Sequence, residues 1–243
     1  MRRFYSPPEH MANGRVVLGA EETRHLRDVL RLHAGDQVSV FDGLGHEYLC
    51  TIEAVGKKDS TLLVIRELEP SSPESPLHLT LAAAILPGEK FEITVQKAAE
   101  LGVYHLQPLY TMRCEVKPGG GPGRLERWRK IAAGSSKQSG RARLMSIAEP
   151  VKFADFVASL SGSGDGVSVI FFSERDGADF SGIRPANKMI AVFGPKGGWD
   201  DSELELAKAA GFSIITFGGR IMRAETAAIA MTAVLQHRFG DLS

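Results

Sequence analysis

The chain has 243 residues, 43% of them hydrophobic and 24% charged. This composition fits one large or two modest globular domains and excludes disorder, collagen and coiled coil as overall descriptions. Its 29 basic and 29 acidic side chains cancel, so net charge alone points to no anionic partner.

In chain order, short β-like runs come first: Arg15–Leu18, Gln37–Phe41, Glu47–Ala54 and Ser60–Glu67. Turn residues Asp42-Gly43-Leu44-Gly45 mark a hairpin, and this density of short strands predicts a small barrel or sandwich. A helix from Glu21 to about Leu32 interrupts them. Its Leu26, Val29 and Leu30 share one face, and Arg24, Arg27 and Arg31 share the opposite one. That arginine row reads either as a solvated face or as a grip on RNA phosphates. Three prolines within residues 69–76 then break the chain, which divides it into 1–72 and 73–243.

Beyond the break, strands and helices alternate. Leu77–Leu86 is the first strand and contains the longest apolar run, which is far short of the roughly 20 residues of a membrane span. A helix Phe91–Leu101, a strand His105–Tyr110 and helices at about Leu125–Lys137 and Phe153–Leu160 follow. Then come strand Val167–Ser173, strand Met189–Phe193, helix Asp201–Ala210, strand Ser213–Phe217 and helix Ala224–Arg238. Near-continuous apolar strands alternating with helices predict an α/β domain on a largely parallel sheet. Between Thr111 and Met145, nine basic residues face two acidic ones beside a Gly-rich loop. This is a candidate footprint for nucleic acid, with a solvated helix surface as the other reading.

Cys50 and Cys114 stand far apart, and no His or Cys lies at ligand spacing, so neither a disulfide framework nor a metal site is expected. The N-terminal stretch Met1–Pro8 is basic without an apolar segment. It is no signal peptide, and a cytoplasmic location without membrane contact is expected.

Three glycine clusters need separating. Gly162-Ser163-Gly164-Asp165-Gly166 imitates a dinucleotide-binding loop but precedes a strand instead of following one, and Gly119–Gly123 also follows no strand. The cluster Gly194-Pro195-Lys196-Gly197-Gly198 differs. It follows a buried strand and precedes a helix with an Asp200/Glu203 capping pattern. One strand later comes Gly218-Gly219-Arg220-Ile221-Met222, followed by Arg223-Ala224-Glu225-Thr226 opening a long helix. Two such loops at the carboxyl ends of successive strands are where open α/β sheets bind ligands.

These residues, with Leu235-Gln236-His237-Arg238-Phe239-Gly240-Asp241, resemble the RsmE family. Its members are bacterial enzymes of the SPOUT superfamily that methylate N3 of a uridine in 16S ribosomal RNA. The resemblance extends to Arg2-Arg3-Phe4-Tyr5, His25–Arg31, Gly88-Glu89-Lys90, Gln96–Gly102 and Gln138–Arg141. It implies an N-terminal PUA-like β-barrel that binds RNA (1–72) and a C-terminal SPOUT α/β domain with a deep trefoil knot (73–243). It also implies S-adenosylmethionine as cofactor, 16S rRNA within the small ribosomal subunit as partner, and a homodimer with the active site at the subunit interface. Lys196 stands where the family usually has glutamate, Gly219 where it commonly has proline or lysine, and Ala224 where it has threonine. Two alternatives therefore stand beside the enzyme: a non-catalytic RNA-binding paralogue, and a SPOUT enzyme acting on another RNA.

The resemblance puts the cofactor against Phe193, Gly194, Gly198, Phe217, Gly218, Ile221, Met222 and Thr226. For Ile221 and Met222, ordinary core packing is the competing reading. The motif loops hold no histidine to serve as a base. Arg223 is the candidate for stabilising charge on the imide oxygens, because guanidinium stays cationic and donates in a fixed fork. Glu225, in a first helical turn that favours its anion, is expected to orient Arg223 or the ligand. An ordinary ion pair at the helix start is the plainer reading of the two. RNA contacts are expected from Arg2, Arg3, Arg24, Arg27, Arg31, Arg141 and Arg143.

Overall fold

The computed structural model describes residues 1–119, 123–160 and 166–242. The glycine cluster at 162–166 therefore lies, apart from Gly166, outside the described residues, as do 120–122 of the cluster at 119–123. Two compact units form: Met1–Glu74 with Ala133–Leu144, and Ser75–Ala132 with Met145–Ser243.

The first unit is built on β1 (Arg3–Tyr5), β2 (Met11–Ala12), β3 (Arg15–Leu18), β4 (Gln37–Phe41), β5 (Glu47–Val55) and β6 (Ser60–Leu68). They form one sheet in the order β1-β4-β5-β6-β3-β2, with β1 parallel to β4 and the other pairs antiparallel. Ser6, just past β1, curls this sheet: its amide reaches Phe41 O on β4, and its hydroxyl donates to Val17 O on β3 at 3.0 Å. The β3 residues alternate, with Val16 and Leu18 buried beside Phe4, Val38, Val40, Ile52 and Leu62. The expected hairpin joins β4 to β5. Asp42 Oδ1 accepts the amides of Leu44, Gly45 and His46, so one carboxylate satisfies the turn.

The expected helix is only partly an α-helix. α1 (Ala20–Arg24) passes into a π-helical turn at His25–Val29. The wider turn breaks the 3.6-residue spacing, so Leu26 is buried while Val29, expected on the same face, is 66% exposed. Arg31 lies beyond the helix at φ +54°, so the arginines do not form one helical row.

The second unit contains β7 (His78–Ala84), α2 (Glu89–Glu100), β8 (His105–Tyr110), β9 (Ser146–Ile147), β10 (Val151–Lys152), α4 (Phe153–Leu160) and β11 (Val167–Phe172). β12 (Lys188–Phe193), α5 (Asp201–Ala209), β13 (Ser213–Ile215) and α6 (Ala224–Phe239) follow. α3 (Arg124–Ser139) crosses the division between the units at residue 132. The strands pair in parallel in the order β10-β8-β7-β12-β11-β13, with β9 also on β8.

Alternation along the strands builds two cores. Met189, Ala191 and Phe193 of β12 pack with Phe91, Val95, Trp128, Met231 and Leu235 from α2, α3 and α6. Ile190 and Val192 pack instead with Phe153, Phe156, Leu204 and Ala207 from α4 and α5. Helices therefore cover both faces, which is why these strands read as continuous apolar runs. Among the described residues no helix is long and apolar enough to cross a membrane.

Candidate functional site

β12 ends at Phe193, and the chain turns sharply there. A Cβ on Gly194 would lie 2.8 Å from the Trp199 ring, so only glycine lets the backbone pass. Trp199 is buried, and its Nε1–H donates to Phe172 O at 2.8 Å, which ties the loop to the end of β11. Gly198 has φ +71°, and a Cβ there would meet Glu174 Oε1 at 2.7 Å.

The expected cap closes the loop. Asp200 accepts from Ser202 N, Glu203 accepts from Asp200 N, and α5 begins. Glu203 also accepts the amide of Met112 at 2.9 Å; its burial raises its pKa, against the lowering effect of those two amides.

The segment after β8 buttresses the same loop. Arg113 donates to Gly197 O at 3.4 Å and pairs with Asp200 at 3.3 Å, and Lys196 pairs with Glu115 at 3.1 Å. Sequence reasoning gave no sign of this strap, because its contacts join residues more than 80 positions apart.

β13 stops at Ile215, two residues before its expected end. Thr216 turns aside to bond the crossing segment instead: its Oγ1 accepts from Gly177 N at 3.0 Å, and its amide donates to Ala178 O at 3.0 Å. Phe217 meets Phe180 edge-on at 6.0 Å. Gly219 takes φ +101°, and Arg223 caps α6.

The two glycine loops line a half-open chamber of ≈ 830 Å³ at the carboxyl ends of β11, β12 and β13, a size suited to a small-molecule ligand. Phe193, Gly194, Gly198, Phe217, Gly218, Ile221, Met222, Arg223 and Glu225 all line it; Thr226 does not. Ile221 is 95% exposed, which removes the core-packing reading for it, whereas Met222 packs against the core. Phe193 is buried and stacked on Phe172 at 4.7 Å, so its ring packs into the fold.

Lys196 of the first glycine loop lines the chamber as well, as do Lys90, Glu174, Trp199 and Arg220, to which the sequence assigns no role there. Glu225 is not paired with Arg223. Its Oε1 lies 3.7 Å from Lys90 Nζ, an ion pair between the first turns of α2 and α6. Among the described residues Arg223 makes no side-chain hydrogen bond or ion pair, which leaves its guanidinium available to a ligand.

The arginines of the first unit divide. Arg2, Arg24 and Arg31 are exposed. Arg3 is 11% exposed, with both ends of its fork on Glu47 at 2.9 Å and further bonds to Ser136, Lys137 and Arg141 carbonyls. Arg141 is 4% exposed against Glu74 at 2.7 Å. Arg27 pairs with Asp28 and donates to the Gly56 and Lys57 carbonyls. Arg143 is half-buried, its amide donating to Glu74 at 3.4 Å.

The basic stretch is largely engaged in the same way: Arg127 with Glu92, Arg129 with Ile147 O, and Lys137 with Glu22. Arg113, Lys117, Arg127, Arg129 and Lys130 of this stretch are nonetheless exposed, so these contacts leave much of its positive charge at the surface. Among the described residues no group of three or more His, Cys, Asp and Glu is placed to hold a metal.

A parallel sheet with a glycine-walled chamber at its carboxyl edge defines an α/β domain suited to a small-molecule ligand, in a chain that also carries a curled β-sheet unit. A family model described as an RNA methyltransferase domain matches residues 73–236, and one described as an RNA methyltransferase PUA domain matches 18–65. Ribosomal RNA small subunit methyltransferase E of Synechocystis is 33% identical over 229 residues, covering 93% of this chain and 74% of that protein. The Bacillus subtilis protein of the same name is 29% identical over 223 residues, covering 88% and 87%. The crystal structure of the Neisseria gonorrhoeae protein of that name, bound to S-adenosyl methionine, matches with a TM-score of 0.89. It is 32% identical and covers 100% of both chains. The chain belongs to the RsmE family of RNA methyltransferases.

Proposed function

We propose that this protein transfers a methyl group from S-adenosylmethionine to N3 of a uridine in 16S rRNA. The observation that carries the reading is the chamber: two glycine loops line a small-molecule volume, with the guanidinium of Arg223, which pairs with no other described residue, on its wall. The fit to the cofactor rests on Gly194 and Gly198, where side chains would collide with Trp199 and Glu174, and on the apolar Ile221 and Met222 for packing an adenine. Backbone groups at Phe193, Gly194, Gly198, Phe217 and Gly218 would hold the rest of it.

The cofactor supplies an electrophilic methyl group on a sulfonium. N3 of the base would have to shed its proton for its lone pair to take that methyl, so the chain's own task is to stabilise the imide anion. Arg223 stabilises the negative charge that develops on the imide oxygens. Glu225, fixed by Lys90, keeps the start of α6 in register with the chamber.

The exposed Arg2, Arg24 and Arg31 support RNA-phosphate binding by residues 1–72, with the chemistry in 73–243. Ile221 and Phe217, apolar and exposed at the chamber, support a homodimer in which a second copy completes the site. The crossing segment 173–187, bonded to Thr216 on one side and to Arg238 of α6 on the other, supports a knotted C-terminus. An rRNA substrate within the small subunit supports a cytoplasmic location.

Lys196 does not weigh against turnover, because Glu115 balances its charge at 3.1 Å. Mass mapping of nucleosides in 16S rRNA from a deletion strain tests the reading. One N3-methyluridine should vanish and return on complementation; an unchanged 16S pattern, or a loss in another RNA, rejects it.

A further inference from the structure

Lys90 stands in the first turn of α2, where the helix dipole is unfavourable to a cation. Its position is therefore not explained by helix stability. The side chain reaches the chamber wall, makes the ion pair with Glu225 at 3.7 Å and, among the described residues, makes no hydrogen bond. Its three N–H donors remain open to a ligand. The charged groups lining the chamber are Lys90, Glu174, Lys196, Arg220, Arg223 and Glu225. Of the cations, Lys196 is held by Glu115 and Arg220 stands in the loop before α6, whereas Lys90 and Arg223 come from the two helix starts beside Glu225.

The chemistry of the acceptor matches two such cations. An imide nitrogen sits between two carbonyl oxygens, and removal of its proton spreads the charge over both. A single guanidinium beside one oxygen leaves the other without a charged partner. We propose that Lys90 is the second cation of the acceptor subsite, its ammonium meeting one imide carbonyl and Arg223 the other, with Glu225 aiming Lys90. This rests on reading the chamber as a uridine-N3 methyl-transfer site.

The test compares Lys90→Met and Lys90→Arg with the wild-type protein. Cofactor binding is measured by calorimetry, Tm by calorimetric melting, and single-turnover methylation on small ribosomal subunits from a strain lacking the gene, from neutral to alkaline pH. In Lys90→Met, cofactor affinity should stay within about twofold while the rate near neutrality falls about tenfold or more, the scale of losing one charge-stabilising donor. The deficit should narrow as rising pH ionises the imide in solution, and Lys90→Arg should restore most of the rate. A Lys90→Met rate within about twofold of wild type overturns the assignment. So does a deficit that is equal at every pH and tracks a drop in Tm, the behaviour of a pin between α2 and α6. Absence of turnover in the wild-type protein, seen before any variant is tested, overturns the underlying reading instead.

Discussion

Gly194 lies against Trp199 so closely that a Cβ would stand 2.8 Å from two atoms of the indole. The same indole donates to Phe172 O at 2.8 Å, so one buried ring ties the loop after β12 to the end of β11. Gly194→Ala must therefore push the loop off the ring or displace the ring from β11. Cofactor affinity should fall at least about tenfold by calorimetry, while the first unit keeps its stability. Trp199→Phe keeps most of the packing but leaves Phe172 O without its donor, which should cost about 1–3 kcal/mol of stability in urea melts.

The strap after β8 acts on the same loop from outside. Arg113→Ala removes the bonds to Gly197 O and Asp200 but touches no chamber-lining side chain except through that loop. We expect KM for the methyl donor to rise a few-fold with kcat nearly unchanged. A drop in kcat at constant KM would place Arg113 in another role.

Arg3 and Glu47 make a buried ion pair in the first unit, with side chains 11% and 2% exposed. Arg3→Ala leaves a buried carboxylate without its partner and should destabilise this unit by about 3–5 kcal/mol. Burial by itself would raise the Glu47 carboxyl, but Arg3 and the hydrogen bond from Ser39 outweigh it and hold it below its ordinary 4.5. A folded-state value below the unfolded one means that the contribution is complete above about pH 4.5 and is lost as pH falls through the lower folded value. Urea melts of wild type should weaken on acidification in that window, and Arg3→Ala should lose this part of the slope.

RNA binding should depend on the exposed arginines and not on the buried ones. Arg24→Ala and Arg31→Ala should each weaken binding and reduce the salt slope by about 1. Arg27→Ala, whose guanidinium already holds Asp28 and two carbonyls, should leave the slope unchanged if the fold is retained.

Much of this architecture is legible from spacing alone. Strands β3, β4 and β8 fall at the ends that alternation and apolar runs predict, because each is bounded by turn residues or charge. β1, β2, β9 and β10 have only two or three residues, too few for any period to register. The glycine loops were readable because glycine marks where backbone must pass closely, as Gly194 and Gly198 do. The Lys90–Glu225 pair was not, since 135 positions separate partners that only the parallel sheet brings together. Arg3 and Arg141 misled for a related reason. Their charge predicts exposure, and nothing local in sequence reveals that Glu47 and Glu74 bury them.

The proposed function requires the glycine loops at 194–198 and 218–222 to hold the methyl donor jointly beside Arg223. A crystal structure of this protein with S-adenosylmethionine tests it most directly. Donor density is expected between Gly194, Gly198, Gly218 and Met222, with the sulfonium methyl facing the chamber that Arg223 lines. Density at any other place on the chain, with that chamber filled by the protein's own side chains, would contradict it.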